Sequence, residues 1–560
     1  MLRVWNVTLV IVTFFLTIFG TFMTRSGVVQ SVHAFGDDPI LAKLFTGFMV
    51  AILVFSFSLV IWRLPLLKAR NELDSWFSRE AAFLLNNWIL LFSAMLILFG
   101  TMFPTLSEAI TGERLTVAGP FFNKWMRPVG LILLMLTGIG PLLAWRKSTF
   151  RNFVDQFVFP TGAFAATAIA MFLLKIPFWA SGLCFSLCAF VVGTILQEFW
   201  RGAKVRRKNT GTDILTALIG LVGRNKRRYG GYIVHVGIVL IFLGFAGNGS
   251  KKDSQVLLSP GQKTTIGRYT IQSDGIKVSD DGQKQMTTAY LTVFVNNKEI
   301  DRLYPAKWAY RHHENEPTTE VAIRRTLAED LYATLGAADL SDQTATLEFF
   351  VNPLVDWIWL GFGILALGTG IALLPERAYS FAAARLPASE AAASTVALLL
   401  VVMLGGTTLS AQKGMAANGD TRTSYYARTE LEKQLQHEIV CTCGACGHAS
   451  IAECRKDPCS TSHQMRGEVA AMLDQGMNHD QVIQAMVAKY GSEEMLGAPI
   501  DKGFNRLVWL VPYLVGGFGI FAIGFAAIRW SRHDERAPEA IASSDPALDD
   551  RINDELRDLD

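Results

Sequence analysis

Charge is what this chain has least of. Of its 560 residues, 18% are charged and 51% are hydrophobic, with a mean hydropathy of +0.29. An ordinary soluble domain carries about 25% charged residues. That scarcity excludes a soluble globule and leaves a polytopic membrane protein. No convincing internal repeat is visible, which argues against a secondary transporter, since such folds usually carry repeats and interrupted spans. Nothing in the composition supports nucleic-acid binding. Cysteine is also sparse, at seven residues. Two of them, Cys184 and Cys188, sit four apart in an apolar run, where a thiol reads as a small packing side chain.

What is there is long apolar runs. Stretches near the twenty residues needed to cross a bilayer occur at about 4–24, 42–63, 81–103, 126–145, 157–175, 177–199, 231–247, 354–374, 392–409 and 507–529. Basic residues set the expected topology, because short cytoplasmic loops carry the Lys/Arg excess. Arg63, Lys68, Arg70 and Arg79 follow the second span, Arg146, Lys147 and Arg151 the fourth, and Lys204 to Lys208 with Arg224 to Arg228 the sixth. With both termini inside, these loops share one side. The exoplasmic side then receives the segment around His33, the loop at 104–124, an insert at about 248–353 and a cysteine-rich segment.

The insert alternates like a strand at Ala289 to Val295, followed by the turn signal Asn296-Asn297, and reads as a small β-rich domain. His312 and His313, among charged neighbours, read as solvated surface. His235 is different, because it lies inside the seventh span, where an imidazole in hydrocarbon is costly. It is either satisfied by a neighbouring helix's carbonyl or an axial ligand to a metal or haem. Gly230, Gly231 and Gly237 would let a bulky group approach it. His33, by position alone, reads as a surface histidine.

Five cysteines crowd into Val440 to Cys459, VCTCGACGHASIAECRKDPC, interleaved with polar residues that mark a watery loop. Cys443 and Cys446 form a CxxC pair, the spacing of dithiol exchange. Cys441, Cys454 and Cys459 could close a structural disulfide, relay electrons, or complete a zinc site with His448. Beyond them, Met465, Val469, Met472 and Leu473 share one helical face, and Val482, Ile483, Met486, Val487 and Tyr490 another. With the stretch near 428–439 they predict a three-helix module.

At this point the chain is recognisable. GTFMTRSGVVQSVHAFGDDP, AGPFFN at 118–123, GIGPLLAW at 138–145, the His235 span, DLYATLG at 330–336 and DWIWLG at 356–361 resemble, in order, the C-terminal portion of the CcmF family of cytochrome c maturation. The likeness covers residues 1 to about 375. Residues 425–530, with CGACGHASIAEC, QMRGEVAAML and AKYGSEEMLGAP, resemble the CcmH family, the thiol-reducing partner in the same pathway.

The resemblance implies a fusion of two proteins that act together. It divides the chain into a CcmF-like membrane region at 1–247, the β-rich insert at 248–353, a final CcmF-like helix at 354–384, a signal-anchor-like span at 385–415, a CcmH-like thiol module at 416–505, a closing helix at 506–530 and an acidic tail at 531–560. Cleavage near Ala411 would release two proteins. The resemblance further implies that His33 ligates incoming haem as a transient substrate and that His235 ligates a resident b haem. In the family the incoming haem lies beside a tryptophan-rich WWD segment, and each of the two histidines has a partner histidine. No span but the seventh contains a histidine here, and no such tryptophan cluster occurs.

A WWD-containing second polypeptide is therefore expected to supply the missing ligands. The other implied partners are a haem chaperone, apocytochrome c and a thiol-reducing donor. The implied function is a haem lyase component with thiol-disulfide oxidoreductase activity, in the bacterial inner membrane and facing the periplasm. A general membrane-tethered thiol reductase, relying on Cys443 and Cys446 alone, is the rival reading. Arg25 and Arg127, near span ends, could hold haem propionates or anchor at the interface.

Overall fold

The computed structural model describes residues 3–26, 39–67, 78–143, 150–176, 178–311, 313–373, 417–418, 427, 429–443, 449–452, 454, 459–491 and 495–531. Among them are nine helices long and apolar enough to cross a membrane. These are α1 (Arg3–Arg25), α2 (Pro39–Trp62), α4 (Arg79–Thr111), α5 (Gly119–Leu142), α6 (Phe150–Leu173), α7 (Leu183–Thr210), α9 (Lys226–Gly247), α10 (Val355–Leu373) and α14 (Arg506–Ser531). The short helices α3 (Leu64–Leu67) and α8 (Ile214–Arg224) lie between them. The expected span at 392–409 and the cleavage point near 411 lie outside the described residues.

Helices α5, α7 and α9 share a core in which Leu131 and Leu134, Leu187 and Val191, and Tyr232 and Val239 interlock. Cys184 and Cys188 are buried in it, their Sγ atoms 3.5 and 3.7 Å from the carbonyl oxygens of Phe242 and Val239. They are packing residues, as their apolar setting suggested.

Helix α9 is held most closely by α10, through glycines spaced seven apart on both. A Cβ at Gly237 would lie 2.7 Å from the Gly361 carbonyl oxygen, and one at Gly368 2.7 Å from the Val234 nitrogen. Gly230 and Gly244 continue the row against Ala372 and Ile358. Small residues let membrane helices approach until their backbones touch. Gly230 and Gly237 are therefore not free to cradle a group at His235. Only Gly231 of the three faces open space, with nothing within 4 Å. A Gly237→Val substitution should cost roughly 2–3 kcal/mol or more through overpacking against backbone. It is expected to lower the thermal midpoint of the detergent-purified chain, whereas Gly231→Ala leaves that midpoint unchanged.

The insert between α9 and α10 is two antiparallel sheets. One runs in the order β1 (Lys252–Leu258), β10 (Thr344–Pro353), β9 (Glu329–Asp339), β8 (Ala322–Arg324). The other contains β2 (Lys263–Ile266), β3 (Tyr269–Asp280), β4 (Lys284–Val295), β5 (Lys298–Leu303), β6 (Ala306–Tyr310) and β7 (His313–Glu320), with β11 (Ala417–Asn418) at its edge. Alternate residues enter the shared core, among them Ala289, Leu291 and Val293 of β4 against Leu331, Ala333 and Leu335 of β9. Asn296 and Asn297 take φ of 51° and 63°, the paired positive values that a tight hairpin needs. His312 and the side chain of His313 lie outside the described residues.

The cysteine-rich end builds α11 (Glu430–Glu438), α12 (Ser460–Asp474) and α13 (His479–Tyr490) around Leu435, Ile439, Met465, Val469, Val482 and Met486. The two helical faces read from the sequence both point into this core, with Met472, Leu473, Ile483, Val487 and Tyr490 packed against it.

Candidate functional site

Two sets of residues carry chemistry. The first is in α9. His235 is partly buried, and its Nδ1 has no hydrogen-bond partner among the described residues. An unpartnered buried ring nitrogen is costly unless something binds it. A neighbouring carbonyl does not satisfy that nitrogen. Gly231 is one turn earlier, at i−4 and hence on the same face, and it opens on empty space. A free imidazole nitrogen beside an open glycine face fits a flat group with a metal at its centre. Three residues before His235, Tyr232 contacts its ring with centroids 6.5 Å apart. The Tyr232 hydroxyl joins a polar cluster in which Arg228 Nη2 lies 2.8 Å from Glu198 Oε2 and Arg228 Nε donates to Tyr232 at 3.1 Å. A carboxylate in the sixth apolar run was a legible signal of such a partner. His33 lies outside the described residues. Arg25 and Arg127 are both exposed, Arg25 at the end of α1 and Arg127 two turns inside α5 rather than at its end.

The second set is the thiols. The Sγ atoms of Cys441, Cys443, Cys454 and Cys459 all lie within 4.8 Å of one another. Cys446 and His448 lie outside the described residues. Three local features converge the four. The segment entering Cys441 is pinned on both sides, with Val440 N donating to Met495 O and Cys441 N to Ala449 O. Cys454 N donates back to Ser450 O. Cys459 caps α12, its sulfur accepting from Ser462 N at 3.3 Å. Burial pushes the Cys441 thiol up to about 12. A thiol raised so far by burial is a poor attacking thiolate at neutral pH.

Arg466, part of a stretch whose role the sequence did not disclose, reaches this cluster. Its Nε donates to Ile451 O and its Nη2 to Cys454 O at 3.5 Å. Burial pulls its pKa down, while Cys454 and other nearby groups oppose that shift.

A third buried group lies where the β-sandwich meets the membrane. Asp330, 6% exposed, leaves Oδ1 without a hydrogen-bond partner among the described residues, and burial together with Asp356 pushes its carboxyl up to about 6. The folded state thus holds a proton to higher pH than the unfolded chain. The resulting penalty is absent below about pH 4 and complete above about pH 6, on the order of 2–3 kcal/mol. Asp330→Asn is therefore expected to raise stability at pH 7.5 and to flatten its fall between pH 4 and 6, as thermal melts at several pH values would read.

The membrane region and the thiol module touch. Ala118 N donates to Gly497 O at 2.8 Å, and Gly497 N donates to Glu438 O at 2.7 Å. Phe103 stacks on Phe504, and Trp125 of α5 meets Tyr513 of the closing helix α14 edge-on at 4.7 Å. Lys433 pairs with Asp253 of the β-sandwich at 2.5 Å.

Comparison with known proteins finds two family matches in this chain. Residues 249–353 match the family described as the CcmF C-terminal beta-sandwich, and residues 401–557 match CcmH, described as a cytochrome C biogenesis protein. The cytochrome c-type biogenesis protein CcmF of Pseudomonas aeruginosa is 31% identical over 376 residues, 67% of this chain and 55% of that protein. CcmF of Escherichia coli is 26% identical over 378 residues, 67% of this chain and 56% of that protein. A solved structure titled Cytochrome c Heme Lyase CcmF shares the fold, with a TM-score of 0.52 and 24% identity, over 66% of this chain and 55% of that one. The chain spans about half the length of the curated relatives it matches.

Proposed function

Since this chain joins a CcmF-like region of the cytochrome c-type biogenesis class to a CcmH-like segment, we propose that it is a haem lyase component in which one polypeptide presents haem and reduces the thiols that receive it. The observation that carries this reading is the contact between the two parts, through Ala118–Gly497, Phe103–Phe504 and Trp125–Tyr513. It holds the thiol module on the membrane region that contains His235. Such proximity turns a meeting of three partners into a positioned encounter.

In this reading His235 ligates a resident b haem and His33 receives haem as substrate. A b haem in the membrane would supply redox chemistry beside the substrate site. Its second ligand comes from polypeptide beyond these 560 residues, as no other span here contains histidine. At the module, Cys443 as thiolate attacks the disulfide of apocytochrome c, forming a mixed disulfide and releasing one substrate thiolate. Cys446 then displaces the second substrate sulfur. The substrate gains two electrons and two protons, and Cys443 and Cys446 are left oxidised until a thiol donor reduces them. The apocytochrome thiols add to the haem vinyl groups, a step that requires orientation rather than new protein chemistry. Both sites face the periplasm of the bacterial inner membrane, with a haem chaperone, apocytochrome c, the thiol donor and a WWD-containing polypeptide as partners.

A reduced-minus-oxidised spectrum of the chain, purified gently from native membranes with its companions identified, tests this reading. A six-coordinate b-type signal with a WWD-bearing companion is the expected result. A chain free of haem that still reduces exported proteins in general would replace it with the general-reductase reading.

A further inference from the structure

The CxxC reading uses two cysteines and leaves Cys441, Cys454 and Cys459 without a task. From the convergence of Cys441, Cys443, Cys454 and Cys459, we propose that the module contains a tetrathiolate site for a soft divalent metal of the zinc type. A zinc–sulfur bond of about 2.3 Å places tetrahedral sulfurs about 3.8 Å apart. The four Sγ atoms lie within 4.8 Å of one another, with Cys441 and Cys459 at 3.5 Å. Bringing them onto one ion therefore needs movements well under an ångström or so for each sulfur. Cys441 and Cys454 are 3% and 5% exposed, which suits a closed structural site.

The surroundings match the charge such a site would carry. Four thiolates around a divalent ion leave a net charge of −2. Arg466 brings a guanidinium against the Cys454 loop, and Ser462 N donates to the Cys459 sulfur at the start of α12, where the helix dipole also favours negative charge. The ligands arrive from three separate pieces of chain, the turn at 441–443, the loop at Cys454 and the cap at Cys459. One ion would tie these pieces together in a module whose apolar core is small. His448 and Cys446 are not required, so the site differs from a zinc centre completed by His448.

The proposal does not depend on the reductase reading. With metal bound, Cys443 is a ligand; with metal released, it is free for exchange. Cys446 belongs to exchange alone.

The test uses the full chain in detergent, reduced, stripped of metal, and titrated with Zn2+ alone or Co2+ alone. One equivalent of either is expected, with cobalt giving the visible bands of a tetrahedral tetrathiolate. Cys454→Ser and Cys459→Ser are expected to weaken zinc binding on the order of 100-fold, whereas Cys446→Ser and His448→Ala bind as the parent does. Cobalt titration of the unsubstituted chain decides the matter even where a cysteine variant misfolds. Failure of one equivalent to bind, a cobalt spectrum without sulfur ligation, or binding lost with His448→Ala but kept with Cys459→Ser overturns the proposal. Loss of thiol exchange in Cys446→Ser with metal retained supports both readings; exchange kept with metal retained overturns the reductase reading alone, and exchange lost in a chain whose parent binds no metal overturns the metal site alone.

Discussion

Replacing His235 with alanine is expected to remove the b-type spectrum of the purified chain and to lower covalent cytochrome c formation by about 100-fold or more, the loss of an axial ligand being an all-or-none change at iron. The reason lies in the imidazole's setting. Its Nδ1 is buried without a hydrogen-bond partner among the described residues, so the uncoordinated ring is an unfavourable occupant of a membrane helix. A metal on that ring would convert the cost into a bond. His235→Gly removes the ligand while leaving room for free imidazole, and added imidazole should restore the spectrum. That rescue separates ligation from a merely structural role. Gly231→Leu gives a second check, because it fills the open face one turn away without touching α10. It should lower haem content while leaving the thermal midpoint near that of the parent. An unaltered haem signal in His235→Ala would remove this residue from the ligand set, and a general thiol reductase would be indifferent to all three changes.

The parts of the fold that were legible in the sequence are those set by short-range physics. Among the described residues nine of the ten expected spans follow from length and hydropathy, β4 and its hairpin from period-two alternation before Asn296-Asn297, and the module's helices from apolar spacing at Met465, Val469, Val482 and Met486. Cys184 and Cys188 were readable as packing residues because their neighbours are apolar throughout. The glycines of α9 were not readable in the same way. A small residue admits a flat ligand or a second helix equally well, and only the seven-residue repeat shared by Gly230, Gly237, Gly361 and Gly368 pointed to α10. Arg466 was hidden for a related reason. A basic residue in the second turn of a polar helix looks solvated until tertiary folding sets it against Cys454. The convergence of four thiols drawn from a span of nineteen residues depends on the same long-range closure. His33, Cys446 and His448 lie outside the described residues, so their roles stand on the sequence.

Cys446→Ser should stop the cycle at a defined point rather than merely weaken it. Cys443 can still attack the substrate disulfide, yet no second thiol is two residues beyond its neighbour to displace it. A mixed disulfide between this chain and apocytochrome c is therefore expected to accumulate, visible as a reductant-sensitive adduct, while holocytochrome c falls by about 10- to 100-fold in the absence of added thiol. Under the proposed function, added small-molecule reductant should bypass the defect, because the substitution leaves the membrane half untouched. Cys443→Ser, by contrast, should give no adduct. Cys441 cannot substitute as the attacking group while burial keeps its thiol protonated up to about 12. Should Cys446→Ser form holocytochrome at the parental rate under oxidising conditions, resolution would have to come from Cys454 or Cys459, which lie with Cys443 inside one four-sulfur cluster. A Cys454→Ser, Cys459→Ser pair combined with Cys446→Ser would then trap the adduct that the single change did not. The order in which these variants trap substrate thus reads out which sulfur follows Cys443.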